Sequence, residues 1–324
     1  MEKVLEDILV FIMFYFPIFV AFVFGTTIGS LSNVIIYRLV YYKSIWTPPS
    51  HCTSCGTEIP WRLNIPVISY LALRGKCRFC GAKFSSRYFW VELTSGLMYA
   101  IVMLWVYTLP PRQGMGLKIM DVLTYNFGGV PYLSFPENPL TWLLIIKGFI
   151  FASMLLILAM IDLEHKLLPN RITIPGFYIG LITAIIAPAS WHPMFQFGGG
   201  WWSGPLDVLL QSLIGALIGG GLLLLIAVVA PAGMGTGDIK LMAMVGAFVG
   251  VRGIGPALFM GFVFGGIIAV LLMAFRKKGR KDMIPFGPFL ALGSFIAFMW
   301  GPQILAWYVS TWVTSPASTV SPIL

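Results

Sequence analysis

An all-α polytopic membrane protein, with about eight transmembrane helices and a small zinc-stabilised cytoplasmic loop domain, is the fold class that this sequence predicts. Three observations predict it. Of 324 residues, 58% are hydrophobic and only 10% are charged, whereas a soluble domain carries charge at about a quarter of its positions. The apolar residues fall into uninterrupted runs of roughly 17–25, long enough to cross a hydrocarbon core of about 30 Å as helices. No alternating pattern favours a barrel. Finally, all four cysteines lie in the one sizeable polar stretch.

The first span covers roughly 8–32. The preceding "MEKVLED" is net acidic, the apolar core is too long and no small-residue cleavage site follows, so the segment reads as a retained anchor rather than a secretory signal. Further spans are expected at roughly 93–109, 141–160, 172–189, 207–230, 240–254, 257–275 and 284–309, the sixth of the set (240–254) being short. The chain then divides into a first transmembrane helix at 1–39, a cytoplasmic loop domain at 40–92 and a transmembrane bundle at 93–324. Two connections, "PPRQGMGLKIMDVLTYNFGGVPYLSFPENP" and "SWHPMFQFGGGWWSGP", are rich in Gly, Pro and aromatics. Their Trp and Tyr suit a membrane interface.

Orientation follows from the basic residues. The net charge is +9, which in a soluble protein would suggest nucleic acid. Here alternate loops carry it. Arg38, Lys43, Arg62, Arg74, Lys76, Arg78, Lys83 and Arg87 belong to the first; Lys166 and Arg171 to the next; Lys240 to the third; "RKKGRK", Arg276 to Lys281, to the last. These hold 16 of the 21 Lys and Arg. Such asymmetry makes the basic loops cytoplasmic and both termini external. The charges orient helices and touch anionic lipid headgroups; nucleic acid is not an expected partner.

"HCTSCG" supplies Cys52 and Cys55, and "GKCRFCG" supplies Cys77 and Cys80. Two Cys-x-x-Cys turns separated by 21 residues present four thiolates to one tetrahedral ion, each turn followed by a glycine. Two disulfides are the alternative, disfavoured by a reducing cytoplasm. A redox-active pair would need no second turn. Structural zinc is the expectation. Four sulfur ligands leave no open position, so the metal would fold a loop too small for its own core. His51, beside Cys52, is expected on the surface.

"GMGTGDIKL" places Asp238 at the edge of an apolar run, and "LLILAMIDLEHKLLPNRIT" places Asp162 at the same depth and on the same side, 76 residues earlier. Acids at membrane depth are costly and usually face a bundle interior or a wet cavity. Two carboxylates brought together share a proton, so one can activate water while the other polarises a carbonyl. Singly, each has an ordinary explanation: Asp238 as a helix N-cap, Asp162 as a solvated residue near Glu164, His165 and Lys166. A cap, however, does not need Gly235 and Gly237 flanking Thr236. Those glycines would let an extended substrate strand lie against the backbone. A P-loop is excluded by the missing Gly-Lys-Ser/Thr ending, and a dinucleotide fold by the missing strand.

"IDLEHKLLPNRIT" and "GMGTGDIKLMAMVGAFVG" resemble the two aspartate motifs of bacterial type IV prepilin peptidases. "GSLSNVIIYRL", the paired Cys-x-x-Cys loop with "NIPVISYLALRGKCRFC", "SRYFWVEL" and "PFGPFLALG" resemble their other landmarks, in order along nearly the whole chain. Gly235, Thr236, Gly237 and Asp238 match the family's Gly-x-Gly-Asp motif, and Asp162 matches its first catalytic aspartate. The resemblance implies a membrane-embedded aspartic endopeptidase of the bacterial inner membrane, with its active site on the cytoplasmic side. It would cut the basic leader from prepilins and secretion pseudopilins. Cleavage after a glycine would expose an N-terminal residue, usually Phe. S-adenosylmethionine would then methylate the new amine, the activity linked to members with the cysteine loop. No donor-binding residue is named by it. One departure is Phe89-Trp90, where the family often shows Pro-Leu.

Glu58, Glu92 and Glu164 are the acids available to a cationic leader, although Glu92 could instead pair with Arg87. The rival function is an ion-coupled transporter or channel relaying ions through paired intramembrane acids. Against it, both acids lie toward one face. A zinc-scaffolded assembly platform without catalysis is a third reading.

Overall fold

Helices satisfy their own backbone polar groups, as an apolar run in lipid must, and each expected run is helical over most of its described residues. The computed structural model describes residues 2–41, 44, 46–47, 49–107, 126–127, 130–131, 139–186, 205–230, 234–275 and 285–313. The loop at 187–204, the basic run Arg276 to Lys281 and most of the connection at 108–138 lie outside the described residues. In chain order the helices are α1 Glu2–Val40, α2 Ile68–Ala72, α3 Arg87–Tyr107, α4 Pro139–His165, α5 Asn170–Ile186, α6 Pro205–Val229, α7 Thr236–Ala274 and α8 Gly287–Tyr308. A 3₁₀ turn at Trp61–Leu63, a two-residue antiparallel pair, Asn126–Phe127 with Val130–Pro131, and a π-helical turn at Val309–Val313 complete the described elements. Six helices are long and apolar enough to span a membrane, and α5 is a shorter apolar helix. The protein is a helical, multi-pass membrane protein.

The chain forms two compact units, 1–164 and 165–324. In the first, α1 and α3 run antiparallel at close range. A Cβ on Gly25 would meet Tyr99 and Ser95, and one on Gly29 would lie 2.7 Å from Glu92 Cα. Small residues permit such an approach where no hydrophobic force separates helix from lipid. Ser95 Oγ donates to Gly25 O at 2.7 Å, and Asn33 Nδ2 donates to Tyr88 O at 3.2 Å. The descending partner numbers confirm the antiparallel order. Tyr99 then reaches α4, stacking on Phe149 at 4.0 Å and hydrogen-bonding Ser153 at 2.7 Å.

In the second unit α7 is the central element, and it doubles back. Gly250 has φ 67 and ψ −172, a conformation essentially reserved for glycine. Ser294 Oγ lies 4.0 Å from Met242 Sδ, while a Cβ on the adjacent Gly293 would be 2.8 Å from Ala257 O and 2.6 Å from Gly261 N. A straight helix would hold Met242 and Gly261 about 28 Å apart. The limbs 236–249 and 251–274 therefore fold against one another, so that the described residues hold eight long apolar helical segments. The expected break near 255 falls instead at Gly250. Gly219 of α6 packs on both limbs, against Met242 O and the Ile254 side chain. α5 runs parallel to the first limb, with Gly180 against Ala247 and Leu168, just before α5, against Gly237.

Candidate active site and metal-binding loop

The two cysteine turns are built alike. Cys52 N–H donates to Thr57 O at 2.9 Å and Gly56 N–H to Cys52 O at 2.9 Å. Cys77 N–H donates to Ala82 O at 2.8 Å and Gly81 N–H to Cys77 O at 3.0 Å. Each closing glycine is left-handed, φ 70 at Gly56 and φ 72 at Gly81. A Cβ at either would meet nothing within 4 Å, so the backbone conformation alone calls for glycine.

The four sulfurs lie within 4.8 Å of one another, and Cys52 and Cys80 are 3.8 Å apart. Tetrahedral thiolates on metal bonds of about 2.3 Å stand about 3.8 Å apart, so this set fits one metal ion. Proximity also couples the thiols. Hydrogen bonding with the Thr57 side chain, 3.3 Å from Cys55 Sγ, and with the Thr57 backbone lowers Cys55 to about 6. The backbone groups of Cys80 and Phe79 lower Cys77. Against the pull of the Ala82 backbone, desolvation and the other three sulfurs push Cys80 up to about 11. A divalent ion removes that conflict by neutralising the thiolates. His51 is exposed, with its Nδ1 2.9 Å from Pro49 O, and is not among the clustered ligand atoms.

Asp162 lies in the last turn of α4 and is 6% exposed. Two residues on, Glu164 pairs with Arg87 at 2.6 Å, which sets the end of α4 beside the start of α3. Arg87 therefore does not pair with Glu92. Glu92 accepts the Val67 N–H at 2.7 Å instead.

Beyond α4 the chain turns through Lys166, φ 54, into the segment that meets the second aspartate motif. A Cβ on Gly237 would lie 2.8 Å from Leu168 Cβ. Lys240 Nζ donates to Asn170 Oδ1 at 2.9 Å. Asp238 is half-buried in the first turn of α7, whose N-cap is Gly235 and not Asp238. Its N–H donates to Gly235 O at 3.2 Å, and an acid here meets the positive end of the helix dipole. Gly235 and Thr236 are exposed. The structure thus gathers the four cysteines at one point and, within the second unit, joins the stretches that flank the two aspartates. Leu168 and Asn170 were missed as positioning residues. Their only sequence signal is a place in "LPNRIT", between a helix end and a helix start.

A model of the bacterial peptidase A24 N-terminal domain matches residues 23–106, and a model of the type IV leader peptidase family matches residues 149–270. The chain is similar to a prepilin leader peptidase/N-methyltransferase of Pseudomonas putida, 31% identical over 88% of this chain and 91% of that one. It is similar to proteins of the same description in Legionella pneumophila, 30% identical over 92% and 96%, and Bacillus subtilis, 27% identical over 90% and 97%. No solved structure matches.

Proposed function

The chain belongs to the type IV leader peptidase family, and on that premise we propose that Asp162 and Asp238 are the catalytic pair with which it cleaves the basic leader of type IV prepilins and pseudopilins. The observation that carries this reading is the contact of Leu168 with Gly237, reinforced by the Lys240–Asn170 hydrogen bond. Residues six beyond the first acid and one before the second are thereby packed together. The carboxyls share one proton: the ionised acid takes a proton from water as it attacks the scissile carbonyl, and the protonated acid stabilises the developing oxyanion. The exposed backbone at Gly235 and Thr236, with Gly237, borders the extended substrate. No ion relay needs this backbone approach, which sets the transporter reading aside.

The new N-terminal amine is then methylated, with S-adenosylmethionine as donor. Cys52, Cys55, Cys77 and Cys80 hold zinc, which folds the loop and takes no part in either reaction. The enzyme works in the bacterial inner membrane, where a substrate helix lies in the bilayer with its leader on the cytoplasmic face. There the basic loops of this chain meet anionic lipid.

The test is purified protein with a prepilin and S-adenosylmethionine, read by mass for leader loss and for methyl gain. Cleavage that vanishes in Asp162→Asn and in Asp238→Asn supports the assignment. Ion flux without cleavage would support the transporter, and neither activity a scaffold.

A further inference from the structure

The first unit contains a buried polar cluster, between α1 and α3 and beside the metal loop, that the peptidase pair does not use. Asn33 on α1 is 2% exposed, and its Oδ1 accepts no hydrogen bond although its Nδ2 is engaged by Tyr88 O. An orphaned buried acceptor of this kind costs about 1–3 kcal/mol and calls for an explanation. One turn along α3 from Tyr88, Glu92 is 8% exposed. Its carboxylate faces Ser30 and accepts the Val67 N–H. Val67 itself is strained, with φ 63 at a β-branched residue, a backbone state that persists only when its surroundings impose it. The turn over Glu92 is therefore held down by that carboxylate. The Arg87–Glu164 bond brings the end of α4, and with it Asp162, to the same end of this unit.

An unmatched amide oxygen beside a carboxylate with lone pairs to spare suits a donor-rich cation. We propose that Glu92 and Asn33 Oδ1 hold the new N-terminal amine of the cleaved substrate for methylation. This rests on the N-methyltransferase reading and supplies residues for it. An ammonium offers three donors; Glu92 and Asn33 take two of them, and the amine can displace the Val67 N–H and release its strained turn. The Glu92 carboxylate accepts a proton from the ammonium, freeing the nitrogen lone pair. The neutral amine forms a bond to the methyl carbon of S-adenosylmethionine as the carbon–sulfur bond breaks and its electron pair stays on sulfur. The methylated ammonium gives its surplus proton to water, as does Glu92.

Glu92→Gln and Asn33→Leu keep side-chain size and are made in the full chain. Leader cleavage and zinc content report that each variant is folded, and both are expected within about twofold of wild type. Methylation is expected to fall by at least tenfold in each, the scale of a charge-assisted hydrogen bond, with the KM for S-adenosylmethionine unchanged. A second readout does not need turnover. A peptide of the processed substrate's N-terminal segment should bind wild type about tenfold more tightly with a free amine than when N-acetylated, and Glu92→Gln should abolish that preference. Wild-type methylation rates in both variants would overturn the proposal. So would a defect confined to the donor KM with the amine preference intact, which would assign the cluster to the donor's own cation. A wild-type enzyme that cleaves but never methylates would overturn the N-methyltransferase reading itself, and this proposal with it.

Discussion

Replacing Gly237 by alanine tests how the second aspartate motif is positioned. The new Cβ would lie 2.8 Å from Leu168 Cβ, 3.3 Å from its Cδ1 and 3.4 Å from its Cγ. Ordinary carbon contacts are about 3.5–4.0 Å, so the two segments must part by roughly 0.7–1.2 Å. The nearest atom is a Cβ, fixed to its backbone, so no rotamer change relieves the clash. Overpacking of this kind costs about 1–3 kcal/mol. A shift of about 1 Å at a reacting group can cost about 10²-fold in rate. The assay is prepilin cleavage by purified enzyme, kcat/KM by gel shift, beside a thermal unfolding midpoint. We expect about a hundredfold loss in Gly237→Ala and substantial recovery in Gly237→Ala with Leu168→Gly, because the three nearest atoms all belong to that side chain. Full activity in the single variant would refute the reasoning. A double variant no better than the single would also refute it, and would move the role of Gly237 to direct contact with substrate.

Asp162→Asn and Asp238→Asn should each abolish cleavage while membrane insertion persists, and Glu164→Gln should lose little, since its bond to Arg87 is partly exposed and such pairs are worth about 0–1 kcal/mol; circular dichroism beside the cleavage assay checks all three. The purified protein should contain about one zinc per chain, counted by elemental analysis, and Cys→Ser at any ligand should impair methylation more than cleavage. Protons compete with the metal: affinity should rise with pH as Cys80, held near about 11, gives up its proton, and fall more steeply below about 6, where Cys55 takes one back. Chelator competition across that range measures it, and a flat profile would contradict four-thiolate binding. Gly250→Ala places a side chain at φ 67, with the nearest atom 3.7 Å away, so the cost is conformational alone, about 1–3 kcal/mol, read as a lowered unfolding midpoint.

Composition and run length were enough to locate the apolar helices among the described residues, because lipid leaves a backbone few choices. The clustering of the four cysteines was equally legible, since paired Cys-x-x-Cys turns in a reducing compartment point to one shared metal site. Within the peptidase motifs, depth and family resemblance drew attention to the two acids but not to the residues packed around them. Leu168 matters through a contact with a glycine 69 residues later in the sequence, and such packing leaves no local periodicity. Asn33 was hidden for another reason. Its side chain is informative only because Oδ1 goes unmatched, and satisfaction of a buried atom is a property of coordinates. Gly250 was nearly readable. Two apolar runs with a gap were visible, but several glycines between 246 and 255 could have turned the chain, and only the backbone angles distinguish them.

The first limb of α7 has a further consequence for the surrounding lipid. From 236 to 249 it rises only about 21 Å, against a hydrocarbon thickness of about 30 Å. A bilayer that matched both ends of this limb would be pinched by roughly 9 Å at its margin. Headgroups and their water would then dip toward Asp238, carrying the hydrolytic reagent into a region that ordinary acyl chains keep dry. The enzyme's turnover would thus respond to acyl-chain length in its host membrane, with no change in any residue of the protein.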